Sequence, residues 1–146
     1  IKEINNLVKN SIKINIIGNI KVLPKKIGLR LTESMRRTKK CKKILVNLAI
    51  NYGSKDEILN AFKKIKRKNK PISTKNFEKY LCTAGLPNPD ILIRTGGKKR
   101  LSNFLLWQLA YSEIYFSNKL WPDFTVADYH KIINDYKKVK RNFGNI

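Results

Sequence analysis

Four short apolar runs, each ending near a turn signal or a polar residue, constrain this chain more than any other feature. KINIIG (Lys13–Gly18), KILVNLAI (Lys43–Ile50), DILIRT (Asp90–Thr95) and IYFS (Ile114–Ser117) read as strands. Segments of helical rhythm separate them. Strands alternating with helices predict an α/β fold, with a mostly parallel central sheet flanked by helices. KILVNLAI is nearly continuous in apolar residues, which predicts a strand buried on both faces, because parallel strands covered by helices lose their alternation.

The helical segments are legible from spacing and caps. The opening IKEINNLVKN carries Ile1, Ile4, Leu7 and Val8 in amphipathic rhythm and has no starting Met, so the chain is expected to begin inside a larger protein. Pro24 suits the first turn of a helix through about Lys39, with Ile27, Leu31, Ser34 and Met35 near one face. Asp56–Lys68 predicts a helix with Ile58, Leu59, Phe62 and Ile65 inward, its KKIKRKNK cluster forming a solvated face. Ser73 or Thr74 caps a short helix through Leu81, and GLPNPD is a loop. FLLWQLAY (Phe104–Tyr111) reads as a helix, and Thr125 caps a last one from Val126 to about Arg141. A length of 146 residues fits one domain, with no internal repeat or low-complexity linker.

The formal charge of +22 would point to a polyanion partner if it were concentrated on one face. Only seven of the 32 basic residues are arginine, however, and Lys, Asn and Ile crowd the whole chain. That pattern reads as compositional drift, and no nucleic-acid module or aromatic stacking platform accompanies it. Any nucleic-acid retention is expected to be insensitive to sequence and abolished by moderate salt. Cys41 and Cys82 are too few for a disulfide framework and sit in no metal-binding spacing, so a reducing, cytoplasmic setting is expected.

The residues that resist the drift cluster in RTGGKKRLSNFLLWQLAYSE (Arg94–Glu113). Arg94 ends a strand, where ligands gather in open α/β sheets. The glycines and polar residues after it admit two readings. In one, Gly96 and Gly97 open backbone N–H groups to an anion, the next helix adds its N-terminal end, and Arg100 and Ser102 reach phosphate oxygens: a diphosphate cradle. In the other, the glycines make a turn, Ser102 is an N-cap and the arginines are surface charges. Glu113, the one carboxylate between Asp90 and Asp123, is either a Mg²⁺ ligand beside such a cradle or an ion-pair partner of a lysine.

PDILIRTGGKKRLSNFLLWQLAYSEIYFSNKLWPDF (Pro89–Phe124) resembles the most diagnostic C-terminal segment of the cis-prenyltransferases, the undecaprenyl diphosphate synthase family. NLAINYGSKDEI and INIIGNIKVLP are similar to it as well, so the likeness runs through essentially the whole chain. The resemblance implies that Arg94, Arg100 and Ser102 hold the diphosphate of isopentenyl diphosphate, that Leu101 contributes its backbone, and that Glu113 binds metal. It implies an undecaprenyl diphosphate synthase-like sheet, a homodimer with contacts near Ser102–Phe116, and Mg²⁺ as cofactor. Four departures stand out. Lys98 and Lys99 replace an acidic residue followed by Gln or His; Asn142 stands where the arginine of a terminal R-x-G belongs, beside Arg141; Lys55 replaces a common arginine; and no Asp-Gly-Asn-Gly-Arg-like motif occurs.

The implied activity is cis-prenyl chain elongation, condensing isopentenyl diphosphate with an allylic prenyl diphosphate to extend a polyprenyl (undecaprenyl-type) lipid carrier. Peripheral membrane contact for product release is expected with it. Residues 1–146 resemble the second half of such an enzyme and by themselves are expected to show no condensation. A noncatalytic partner subunit of the same fold is the first alternative, and a basic nucleic-acid-binding domain the second.

Overall fold

The computed structural model describes residues 2–140, and the chain divides into two compact units between Ala84 and Gly85. In the first, α1 (Lys2–Lys9), β1 (Ile12–Ile17), α2 (Lys25–Thr38), β2 (Ile44–Ala49), α3 (Ser54–Arg67) and α4 (Thr74–Glu78) follow in order, with a 3-10 turn at Ile20–Val22. β1 and β2 pair in parallel from Ile12 opposite Ile44 to Ile17 opposite Ala49. The strand–helix alternation expected from the sequence is present.

α2 is fastened to β1 by one hydroxyl. Thr38 is fully buried; its Oγ1 accepts from the Ile14 amide at 3.0 Å and donates to the Ser34 carbonyl at 2.8 Å. The chain leaves β1 through Gly18 at φ +105°, and a Cβ there would run into the Ile50 carbonyl oxygen. Only glycine tolerates both the left-handed backbone and that approach.

Two expectations for this unit fail. β2 is not buried on both faces: Ile44 is 50% and Leu48 39% exposed, because among the described residues the strand has one ladder partner, β1. α3 starts at Ser54, earlier than expected, and buries Ser54, Glu57, Ala61 and Ile65. Leu59 and Phe62, expected inward, are exposed. The inward face is the one at spacing 3, 4, 4 that packs against α4, where Phe77 is buried.

The second unit holds β3 (Ile91–Arg94), β4 (Glu113–Phe116), a 3-10 turn at Trp121–Asp123 and α5 (Val126–Tyr136). β3 and β4 are parallel, from Ile91 opposite Glu113 to Arg94 opposite Phe116. Thr125 caps α5 as expected, in a reciprocal capping box with Asp128. The helix stops at Tyr136 rather than near Arg141; Arg141 and Asn142 lie outside the described residues.

The expected helix over Phe104–Tyr111 does not form. Ser102 (φ 50°), Asn103 (φ 61°) and Leu105 (φ 44°) are left-handed, which reverses the chain where a right-handed i→i−4 ladder would have to start. Successive turns replace it, with Leu109 N bonded to Leu105 O at 2.9 Å and Ser112 N to Leu109 O at 3.1 Å. The apolar run still buries Leu105 and Leu109, so its hydrophobicity serves the core without helical geometry.

Candidate functional site

Arg94 ends β3, and the left-handed residues bring the chain back over it. Its Nη1 donates to the Arg100 carbonyl oxygen and, at 3.0 Å, to Ser102 Oγ. Arg94, Thr95, Arg100, Leu101 and Ser102 line a hollow of about 320 Å³ together with the apolar Leu92, Ile93 and Phe104. That size falls in the range of small-molecule sites. One guanidinium is partly buried and oriented by two acceptors, and the other is exposed. The arrangement suits a multiply charged anion, which accepts charge-assisted hydrogen bonds from such forks.

The glycine pair does other work. Gly96 N donates to Lys119 O at 2.8 Å and Gly97 N to Ser117 O at 2.9 Å. Both are left-handed, at φ 85° and 72°. Neither N–H is directed to an anion, and no helix begins at Ser102. The turn reading therefore holds for the glycines, and the helix-terminus part of the cradle is corrected. The glycine loop is fastened instead through Lys119, whose Nζ meets both carboxylate oxygens of Asp128 at 2.8 Å. Hydrogen bonds from Lys119 and Thr125 hold the Asp128 carboxyl well below the usual carboxylate range.

Glu113 is not among the residues lining the hollow. It opens β4 opposite Ile91, while Arg94 is opposite Phe116. Three residues of strand, roughly 10 Å, separate the two positions. Among the described residues no carboxylate lines the hollow, and no three His, Cys, Asp or Glu cluster for a metal. The residues at the hollow do not fit a bridging metal.

The first unit contains a polar cluster that the sequence motifs do not announce. Glu57 is 6% exposed; its Oε1 accepts from the Cys82 amide at 2.6 Å and its Oε2 from the Tyr52 hydroxyl. Burial, then the Glu57 hydrogen bond, pushes the Tyr52 phenol above its ordinary range. Burial followed by the Glu57 charge does the same to the Cys82 thiol. One signal does exist: Glu57 is the one acid on the Ser54, Glu57, Ala61, Ile65 face. A larger hollow, about 440 Å³, lies between Ile4 and Leu29 in this unit. On its rim Glu33 is bonded to Arg36 and Arg37 to Asn5, and the Glu33 carboxylate stands beside Arg30 in the lining; the smaller hollow, with two arginines and no carboxylate, is the better anion site.

Residues 1–144 match the family model described as "Putative undecaprenyl diphosphate synthase". An isoprenyl transferase of Clostridium acetobutylicum is 46% identical over 99% of this chain and 60% of its own length. One of Prochlorococcus marinus is 45% identical over 99% and 56% respectively. The chain thus spans about 60% of the length of such relatives. Among solved structures, a "probable undecaprenyl diphosphate synthase" of Campylobacter jejuni superposes with a TM-score of 0.89 at 37% identity, covering 99% of this chain and 68% of that one. Lavandulyl diphosphate synthase of Lavandula x intermedia, solved with dimethylallyl diphosphate, gives 0.92 at 34% identity, with 98% and 65% covered.

Proposed function

The chain belongs to the undecaprenyl diphosphate synthase family, and on that premise we propose that it carries the isopentenyl diphosphate site of an enzyme that elongates polyprenyl diphosphates in cis. The observation that carries this reading is the Arg94 guanidinium, bonded to Ser102 Oγ and the Arg100 carbonyl in one hollow at the end of a parallel strand. Arg94 and Arg100 supply charge, Ser102 a hydroxyl and Leu101 backbone. The apolar lining of Leu92, Ile93 and Phe104 suits the short hydrocarbon of isopentenyl diphosphate.

In the proposed reaction the allylic diphosphate departs, the resulting allylic cation is attacked by the double bond of isopentenyl diphosphate, and a proton is lost to leave a cis double bond. This chain contributes orientation. Fixing one diphosphate in the hollow limits where the attacking double bond can lie, which turns a bimolecular encounter into a near-attack arrangement. Glu113, outside the hollow, is the one carboxylate of this chain we assign to Mg²⁺, and no step at the hollow depends on that ion.

A homodimer is part of the proposal, supported by exposed apolar surface on the segment that carries the site: Tyr111 is 67% exposed, and Ile114 and Phe116 are each 41% exposed. Peripheral membrane contact for release of an apolar product and a cytoplasmic location are included. No described helix is long and apolar enough to cross a membrane.

Calorimetric titration of the complete enzyme with isopentenyl diphosphate and with farnesyl diphosphate tests the assignment. Arg100→Ala is expected to weaken binding of the first about 10- to 100-fold, the loss of one or two charge-assisted hydrogen bonds, and to leave the second nearly unchanged. Equal losses for both would overturn it.

A further inference from the structure

We propose that the arginine hollow binds its diphosphate as the metal-free anion, with Lys98 and Lys99 in place of a divalent cation. The inference rests on the reading of the hollow as a diphosphate site and concerns what balances the ligand's charge there.

Arg94, Lys98, Lys99 and Arg100 put four cationic side chains into one short segment, and no carboxylate occurs between Asp90 and Glu113. The five carboxylate residues of this unit lie elsewhere. Asp90 and Glu113 meet at the opposite end of the strand pair, where Glu113 N donates to Asp90 O at 3.0 Å. Asp128 is held by Lys119 and Thr125, Asp135 pairs with Lys138 at 3.5 Å, and Asp123 lies in the turn before α5. None lines the hollow.

Mg²⁺ is strongly hydrated and is retained in proteins by one or two carboxylates together with phosphate oxygens. Here the first half of that set is missing from the wall of the hollow, Arg94 and Arg100 line it, and Lys98 and Lys99 add two further positive charges in the adjoining segment. A Mg²⁺ bound to the diphosphate also removes negative charge from the ligand, which weakens its attraction to those four cations. The free diphosphate is therefore the preferred ligand. Lys98 and Lys99 are exposed and stand immediately before Arg100, so their contribution is long-range and screened by salt.

Titrating the protein with isopentenyl diphosphate, once in EDTA and once in millimolar Mg²⁺, tests the proposal. The expected result is saturable binding in EDTA, unchanged or weaker with Mg²⁺. The double variant Lys98→Ala/Lys99→Ala should weaken the EDTA titration roughly three- to tenfold, as two exposed charges would, and should flatten its dependence on ionic strength. A single Lys98→Glu variant, which places a carboxylate beside Arg100, should bind poorly in EDTA and recover with Mg²⁺. Binding by the unaltered protein only when Mg²⁺ is present would overturn the metal-free proposal and leave the diphosphate assignment intact. Binding in neither condition would overturn both.

Discussion

Ser102 Oγ accepts a hydrogen bond from Arg94 Nη1 at 3.0 Å while its own backbone sits at φ 50°. The same residue thus orients the guanidinium and makes the reversal that brings residues 100–102 over it. A non-glycine residue in the left-handed region is under local strain, of order 1 kcal/mol or more. Ser102→Gly is expected to relieve that strain and raise the midpoint of thermal unfolding slightly, while weakening isopentenyl diphosphate binding several-fold through loss of the hydroxyl. Scanning calorimetry and titration on the same sample separate the two effects; a variant that gains neither stability nor a binding defect would contradict this dual role.

Arg94 and Arg100 differ in how they are held, so their alanine variants should differ. Arg94 is engaged by the fold, and its removal should lower both stability and affinity. Arg100→Ala should lower affinity alone, because its side chain is exposed. Urea unfolding beside ligand titration distinguishes them, with a change of about 1–2 kcal/mol in unfolding free energy expected for the Arg94 variant only.

At Gly18 the prediction is structural. Alanine there would have to occupy φ +105° with its Cβ against the Ile50 carbonyl, so Gly18→Ala should destabilise the first unit by about 2 kcal/mol or more. Loss of amide-exchange protection concentrated in β1 and β2, with α5 unaffected, is the expected signature.

Glu57 gives a chemical readout. Burial and the Glu57 charge raise the Cys82 thiol pKa, which lowers the thiolate fraction at pH 8 and slows alkylation. Glu57→Gln removes the charge and keeps the shape, so Cys82 should react faster in this variant than in the unaltered protein. Because a hydrogen bond to a charged acceptor becomes a neutral one, unfolding free energy should fall by about 1 kcal/mol. An unchanged alkylation rate would show that the carboxylate does not govern the thiol.

Much of this architecture is legible in the sequence because it rests on local signals. Apolar runs place β1 and β3 to within a residue or two, and Thr125 with Asp128 three residues later marks the start of α5. The segment after Ser102 misleads because FLLWQLAY has helical hydrophobicity, whereas the left-handed φ values before it arise from tertiary closure that no periodicity encodes. The same closure engages the N–H groups of Gly96 and Gly97 with residues 117 and 119, a pairing invisible at a distance of about twenty positions. Arg94, Arg100 and Ser102 come to one strand end through the left-handed reversal; their spacing leaves a diphosphate cradle and a plain turn equally open, and the family likeness is what singles them out. Sequence proximity groups Glu113 with them, but the register of β3 against β4 puts it at the other end.

The open side of β2 bears on how the protein behaves in solution. Ile44 and Leu48 stand exposed on a strand that, among the described residues, pairs only through β1, and an unpaired strand edge with apolar neighbours is a template for another chain. The net charge of +22 opposes such encounters by mutual repulsion between molecules. That repulsion has a range of about 10 Å at 0.1 M salt and shortens as salt is added. Colloidal stability should therefore run opposite to the usual salting-in of a basic protein: dispersed in dilute buffer, and turbid as ionic strength rises.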